Sequence, residues 1–132
     1  MKVVSLVAVV VILASPLTAE ARMVVTRDLG CDIRTYVNDL HRLAKKHERI
    51  IINGDCESAC TLALRLANTC VTPRSILGFH RAIRLRPNDK IGIGNAYLWS
   101  AVPPELRHRM GPLTPQMRYI HGYQLPRRYL CR

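Results

Sequence analysis

A serine and a histidine stand where this sequence can assemble acyl-transfer chemistry. Ser58 lies at a predicted turn between a strand containing three isoleucines and an apolar helix, and His80 follows the next predicted strand. Because the carboxyl ends of adjacent parallel strands meet at one sheet edge, we expect the two side chains to lie together. Backbone N–H groups at the start of the helix would stabilise an oxyanion there. The pattern is compatible with a serine nucleophile and a histidine base. On the residues alone it is equally that of an N-cap at Ser58 and a strand-end polar residue at His80.

The cysteines predict disulfide bonds near this site. In an exported protein such bonds persist, and an odd number leaves at least one thiol unpaired within the chain. The candidate disulfide bonds join Cys31 to either Cys56 or Cys60, and Cys70 to Cys131. The alternative for Cys60 is a thiol nucleophile on the first helical turn, where a thiolate is favoured. The Cys-x3-Cys spacing has no second matched pair, so no metal site is predicted. The five cysteines are Cys31, Cys56, Cys60, Cys70 and Cys131.

Alternating helices and strands must position these residues. Apolar residues at helical spacing predict an amphipathic helix over Asp32–His47, with Asp32 as its N-cap. Arg49–Asn53 and Ser75–Phe79 are predicted as buried strands, and Ala59–Ala67 as a second, very apolar helix. The order helix, strand, helix, strand predicts an α/β fold with a parallel sheet.

The second half of the chain gives weaker signals. Arg81–Arg86 is predicted as either an edge strand or a basic loop. Pro104–Met110 and Thr114–Gly122 are predicted as short helices, each opened by a proline at its first position. Tyr97 and Trp99 lie in an apolar stretch and are expected to belong to the core. We therefore expect an irregular C-terminal part after the sheet.

The first 21 residues have the features of a cleavable signal peptide. Lys2 precedes an apolar run over residues 3–14, and Ala19-Glu20-Ala21 matches a cleavage site. The alternative, an uncleaved membrane anchor, needs about 20 apolar residues, and this run is shorter. We therefore expect a signal peptide over residues 1–21, a single mature domain over residues 22–132, and a periplasmic or secreted location.

Positive charge is concentrated in the second half of the mature chain. Residues 22–73 contain 8 Lys and Arg against 6 Asp and Glu, whereas residues 74–132 contain 11 against 2. A cationic surface attracts nucleic acid, acidic polysaccharide or lipid headgroups. The alternative is that the charge serves solubility and gives only weak binding to anionic surfaces.

Two motifs in this chain resemble those of a known superfamily. Gly54-Asp55-Cys56-Glu57-Ser58-Ala59-Cys60-Thr61, followed by Pro73-Arg74-Ser75-Ile76-Leu77-Gly78-Phe79-His80, is similar to the core of the Clp protease proteolytic subunit and its crotonase-like relatives. The pattern G-x-C-x-S-A-C-T, then a cysteine, then L-G-F-H, is closest to a group of small bacterial periplasmic proteins. The resemblance spans about Val24 to Ala82, and it implies a shortened parallel-sheet core of that superfamily.

The resemblance also implies roles for individual residues. Ser58 would be the nucleophile and His80 the general base. The backbone N–H groups of Gly30 and Ala59 would form the oxyanion hole. The superfamily has two glycines at the turn before the first helix, where this chain has Gly30 alone, and the early strands that precede that turn are expected to be missing here.

The orienting acid of the superfamily has no counterpart in this sequence. Its aspartate follows well after the catalytic histidine, at a place that reads Arg127-Arg128-Tyr129-Leu130 in this chain. Beyond His80 the carboxylates are Asp89 and Glu105, which makes these two the candidate orienting acids. Loss of such an acid typically lowers the rate by orders of magnitude.

Three functions are compatible with these observations. The first is an exported serine hydrolase or peptidase that acts on a peptide, ester or thioester. The second is a non-catalytic binding or scaffold module of the same fold, which can assemble as a homo-oligomer. The third is a cationic secreted protein that binds anionic envelope or nucleic acid. With no P-loop and no dinucleotide fingerprint in the sequence, no cofactor is expected.

Overall fold

The computed structural model describes residues 21–46 and 48–132. The expected signal peptide, apart from Ala21, falls outside the described residues. So does His47, at which the first helix was expected to end.

Five strands form one mixed sheet, in which the predicted parallel pairing is present and one antiparallel strand is added at an edge. The strand order is β1-β2-β4-β5, and β3 pairs with the first half of β2. β1, β3 and β4 run parallel to β2, whereas β5 runs antiparallel to β4. The fold is therefore α/β with a mixed sheet. The strands are β1 (Arg22–Asp28), β2 (Arg49–Glu57), β3 (Thr69–Val71), β4 (Ile76–Phe79) and β5 (Arg118–His121).

A strand does precede the Gly30 turn, although early strands were expected to be missing. β1 pairs with β2 from Arg49 to Cys56, and Val25 is buried opposite Ile52. The register between these strands shifts after Val25, where Gly54 approaches Thr26 so closely that an added Cβ would lie 1.9 Å from the Thr26 carbonyl oxygen. A side chain at Gly54 would therefore break the pairing that leads β1 to the candidate site.

The helices agree with the predictions in part. The first helix, α1 (Ile33–Lys46), begins after Asp32, whose carboxylate accepts the N–H of Arg34 at 2.8 Å, so the predicted N-cap is confirmed. α2 covers Ile91–Ala101, and α3 (Pro104–Met110) has the predicted bounds.

Two segments differ from the helices predicted for them. Ser58–Arg65 is a 3-10 helix rather than an α-helix over Ala59–Ala67, and the side chains of residues 59–64 are all buried. Thr114–Gly122 contains β5 instead of a helix, apart from Gly122 at its end, because Ile120 is buried opposite Leu77. A proline at the first position is a local signal, and pairing with a distant strand overrides it. Two further short 3-10 helices cover Gly122–Gln124 and Arg127–Tyr129.

The core lies around the two central strands. Alternate residues of β2, Ile50 and Ile52, are fully buried, as are Leu77 of β4 and Leu62 of the first 3-10 helix. α2 packs against that 3-10 helix. The central strands are therefore buried in the core, and both end near the candidate site.

The two disulfide bonds differ in part from the predicted pairing. Cys70 is bonded to Cys131, one of the predicted pairs. Cys56 is bonded to Cys60, and Cys31 is free and exposed, so the expected bond from Cys31 to this turn is wrong. The Cα atoms of Cys56 and Cys60 are 5.3 Å apart, within normal disulfide range, because the chain turns sharply between them. No helix within residues 21–46 and 48–132 is long and apolar enough to cross a membrane.

Candidate active site

Ser58 occupies an unusual backbone conformation at the junction of β2 and the first 3-10 helix. Its φ is 54°, in the left-handed region, and no other non-glycine residue of the described chain has a positive φ. Such a conformation costs energy for a residue with a side chain and is common at functional sites. A strand-to-helix turn of this kind projects a serine out of the sheet edge, as nucleophile elbows do.

The side chains of Ser58 and His80 are in hydrogen-bond contact. Ser58 Oγ and His80 Nε2 are 2.7 Å apart. β4 pairs in parallel with the end of β2, with Glu57 opposite Gly78, so both strands deliver their next polar residues to the same edge. The geometry expected from the sequence for these two residues is therefore present in the structure.

A disulfide bond closes around Ser58. Cys56 is the penultimate residue of β2, Cys60 lies in the 3-10 helix, and both are buried. Thr61 adds a second local tie by donating its hydroxyl to the Ser58 carbonyl oxygen at 2.7 Å. The alternative role of Cys60 as a free thiol nucleophile does not fit this structure, because its sulfur is bonded to Cys56.

The Gly30 turn lies directly against the serine elbow. Gly30 has a φ of 77°, and a Cβ added there would lie 2.8 Å from Ala59 N and 2.8 Å from Ser58 Cβ. The structure therefore brings together both predicted oxyanion donors, Gly30 and Ala59, beside the serine. Ala59 N–H belongs to the first turn of a helix, where backbone donors have no intrahelical acceptor.

Asp28 is a residue of this site that the sequence reasoning missed. Its carboxylate accepts the N–H of Gly30 at 2.8 Å, so one predicted oxyanion donor is already occupied. The signal was available in Asp28-Leu29-Gly30, because an aspartate two residues before a glycine commonly accepts that glycine's N–H in an Asx-turn.

Neither candidate orienting acid is hydrogen-bonded to His80. Asp89 accepts the N–H groups of Leu85 and Arg86. Glu105 pairs with Arg128, whose hydrogen bond lowers the pKa of the Glu105 carboxyl. In the part of the chain that the structure describes, the hydrogen bond of His80 is to Ser58, and none joins it to a carboxylate.

A wide cleft opens beside Ser58 and His80. Its volume is about 690 Å³, within the range of small-molecule sites. The Gly30 turn, α1, the segment after His80 and α2 form its walls. Asp89 also lies in the lining, on the segment after His80, whereas Glu105 does not.

Ion pairs tie the segment after His80 to the start of α1. The Arg86 guanidinium lies 2.6 Å from the Asp32 carboxylate, and Arg34 lies 3.3 Å from Asp89. The backbone N–H of Arg34, together with the Arg86 charge, lowers the pKa of Asp32 although burial acts in the opposite direction. These exposed pairs hold two walls of the cleft together.

The described part of the chain contains no cluster of three or more His, Cys, Asp or Glu side chains that could hold a metal ion. No family model matches the chain, and no curated protein matches it significantly.

Proposed function

We propose that this protein is a serine hydrolase in which Ser58 attacks an acyl carbon and His80 serves as the base. The observation that carries the proposal is the 2.7 Å contact between Ser58 Oγ and His80 Nε2. The left-handed backbone of Ser58 adds support, because strain of this kind persists where surrounding structure enforces it.

The reaction follows from the positions of these groups. Ser58 Oγ forms a bond to the acyl carbon while its proton moves to His80 Nε2. The carbonyl oxygen becomes an oxyanion, which the Ala59 N–H stabilises. His80 then gives the proton to the departing group as its bond to the acyl carbon breaks. Water then attacks the acyl carbon while its proton moves to His80 Nε2, and His80 returns that proton to Ser58 Oγ as the bond between Oγ and the acyl carbon breaks and the carboxylic acid leaves.

The fold we propose is a shortened version of the Clp protease and crotonase-like core. Its support is the succession of β2, Ser58 and the 3-10 helix, followed by parallel β4 and His80. The 3-10 helix and the antiparallel β5 are departures from the parallel core that the resemblance implies.

We also propose that the protein is exported and acts in the periplasm or outside the cell. Two disulfide bonds support this location, since such bonds persist in oxidising compartments. Cleavage after Ala21 predicts that N-terminal sequencing of the exported protein begins at Arg22. Recovery of intact Met1 on a membrane-bound product would contradict the proposal.

Labelling with a fluorophosphonate tests the hydrolase directly. The probe forms a tetrahedral adduct on an activated serine, and mass spectrometry should locate it on Ser58. Ser58→Ala should abolish labelling, and His80→Ala should slow it greatly. Ser100→Ala is the matched control, because the Ser100 hydroxyl is exposed and bonds only within its own helix.

A non-catalytic binding module is the second candidate. The occupied N–H of Gly30 favours it, because an oxyanion would have to displace the Asp28 carboxylate. If folded protein with both disulfides intact shows no adduct on Ser58 at any pH between about 6 and 9, this second function replaces the first.

A further inference from the structure

We infer that the cleft beside Ser58 binds an aliphatic acyl chain, so that the substrate is an ester of such an acid. The inference rests on the proposed hydrolase function and adds its substrate class. Hydrolysis then transfers the acyl group from the alcohol oxygen to Ser58 Oγ and from there to water, releasing an alcohol and a carboxylic acid.

The walls of the cleft are aliphatic on three sides. Ile33 and Val37 face it from α1, and Leu98 faces it from α2. Ile83 and Leu85 complete the lining from the segment that follows His80. A chain attached to Ser58 would therefore contact methyl and methylene groups on these walls, while Asp32, Arg34, Asp89 and Lys90 supply the charged part of the lining.

Exposed apolar side chains are concentrated at this cleft. Among the described residues eight large hydrophobic side chains are exposed, and four of them line it. Ile83 and Leu85 are each 59% exposed, although their burial would be favourable. An exposed cluster of this kind marks a binding site in a folded protein. The four residues are Leu29, Ile83, Leu85 and Ile93.

The acidic groups of the lining already have partners. Asp32 accepts from Arg34 N–H and from the Arg86 guanidinium. Asp89 accepts from Leu85 N–H, from Arg86 N–H and from the Arg34 side chain. Because a peptide brings polar groups that need partners of their own, these engaged acids favour a chain with no polar atoms.

The size and position of the cleft suit such an occupant. A volume of about 690 Å³ accommodates a chain of several methylenes, and the cleft is continuous with the reactive pair because Ser58 and His80 both line it. The acyl carbon would sit at Ser58 Oγ while the chain extends between α1 and the segment after His80.

The dependence of hydrolysis on chain length tests this inference. Hydrolysis of p-nitrophenyl acetate, butyrate and octanoate is measured for the mature protein. The rate measured with the Ser58→Ala variant is subtracted as background. The ratio kcat/KM should rise by roughly twofold to fourfold for each methylene that the cleft buries. Equal kcat/KM for acetate and octanoate would overturn the acyl-chain site while leaving the hydrolase in place.

Surface variants localise the effect. Ile83→Ser and Leu85→Ser change exposed side chains, so the fold should persist, and each should lower kcat/KM for octanoate by about threefold or more, a larger loss than for acetate. Val24→Ser is the matched control, since Val24 is 52% exposed on β1 and lies outside the cleft. If Val24→Ser also lowers kcat/KM for octanoate more than for acetate, the assignment of Ile83 and Leu85 to the acyl-chain site is wrong.

Binding to the unreactive protein separates the two proposals. A fluorescent fatty acid should bind Ser58→Ala protein and lose affinity in the double variant with Leu85→Ser. If no ester is hydrolysed and no fluorophosphonate labels Ser58, the hydrolase proposal is wrong. Binding of the fatty acid would then still support the acyl-chain site. If the fluorescent fatty acid does not bind, the acyl-chain site is overturned. The site is also overturned if the protein cleaves a peptide p-nitroanilide, with leucine before the scissile bond, at a higher kcat/KM than the octanoate ester.

Discussion

Gly30 and Ala59 lie in backbone contact, although 29 residues separate them in the chain. A methyl group placed on the Cα of Gly30 would approach Ala59 N to 2.8 Å. The contact joins the turn after β1 to the helix that begins at Ser58. It places the Gly30 turn against both Ser58 and Ala59, which makes Gly30 a residue on which the proposed chemistry depends.

Gly30→Ala should slow fluorophosphonate labelling of Ser58 by about 100-fold or more, because the added methyl group would collide with Ala59 N and displace the N–H that stabilises the oxyanion. Gly111→Ala is the control. Gly111 has a similar φ of 66°, but nothing lies within 4 Å of its Cβ position. Both variants therefore place a side chain on a left-handed backbone, whereas only Gly30→Ala creates a collision. Labelling rates that fall equally in both variants would show that Gly30 matters only for stability.

Asp28→Ala should speed labelling by roughly tenfold, because it frees the N–H of Gly30 from a charge-assisted hydrogen bond. Asp28→Asn keeps an acceptor without the charge and should give an intermediate rate. Asp39→Ala, an exposed acid on α1, should leave the rate unchanged. A slower reaction in Asp28→Ala would mean that the carboxylate holds the turn in shape rather than blocking a donor.

Cys131→Ser should lower the free energy of unfolding by about 2–5 kcal/mol, because the bond to Cys70 closes a long loop in the unfolded chain. Urea denaturation measures the change. Cys31→Ser should leave stability unaltered, since that thiol is exposed and unbonded. An unchanged denaturation midpoint in Cys131→Ser would contradict a stabilising role for the bond.

Asp32 should make stability depend on acid pH. Its pKa in the folded protein lies below the ordinary value of about 3.8, so the stabilisation is complete above that value and is lost as the pH falls through the folded pKa. Asp32→Asn should therefore lower the melting temperature at pH 7 and should narrow its difference from the wild type as the pH falls below about 4. If the difference in melting temperature between the two proteins stays constant with pH, the ionisation of Asp32 does not contribute to stability.

Local patterns in the sequence were sufficient for several elements. The amphipathic stripe and Asp32 predicted α1, and the isoleucine run predicted β2 as a buried strand. The proline at its first position predicted α3 with the correct bounds. The meeting of Ser58 and His80 was also predictable, because two parallel strands that both end in polar residues deliver them to one edge.

Tertiary structure decided what depends on distant partners. Thr114–Gly122 contains a strand because Leu77 offers Ile120 a buried partner, which no local propensity reveals. The Cys56–Cys60 bond and the free thiol of Cys31 were settled by the sharp turn at Ser58, since cysteine spacing does not determine connectivity. The aliphatic cleft also depends on the assembled fold, because packing brings together β1, α1 and α2 from segments far apart in the chain. The hydrogen bond from Gly30 N–H to the Asp28 carboxylate was likewise seen only in the structure.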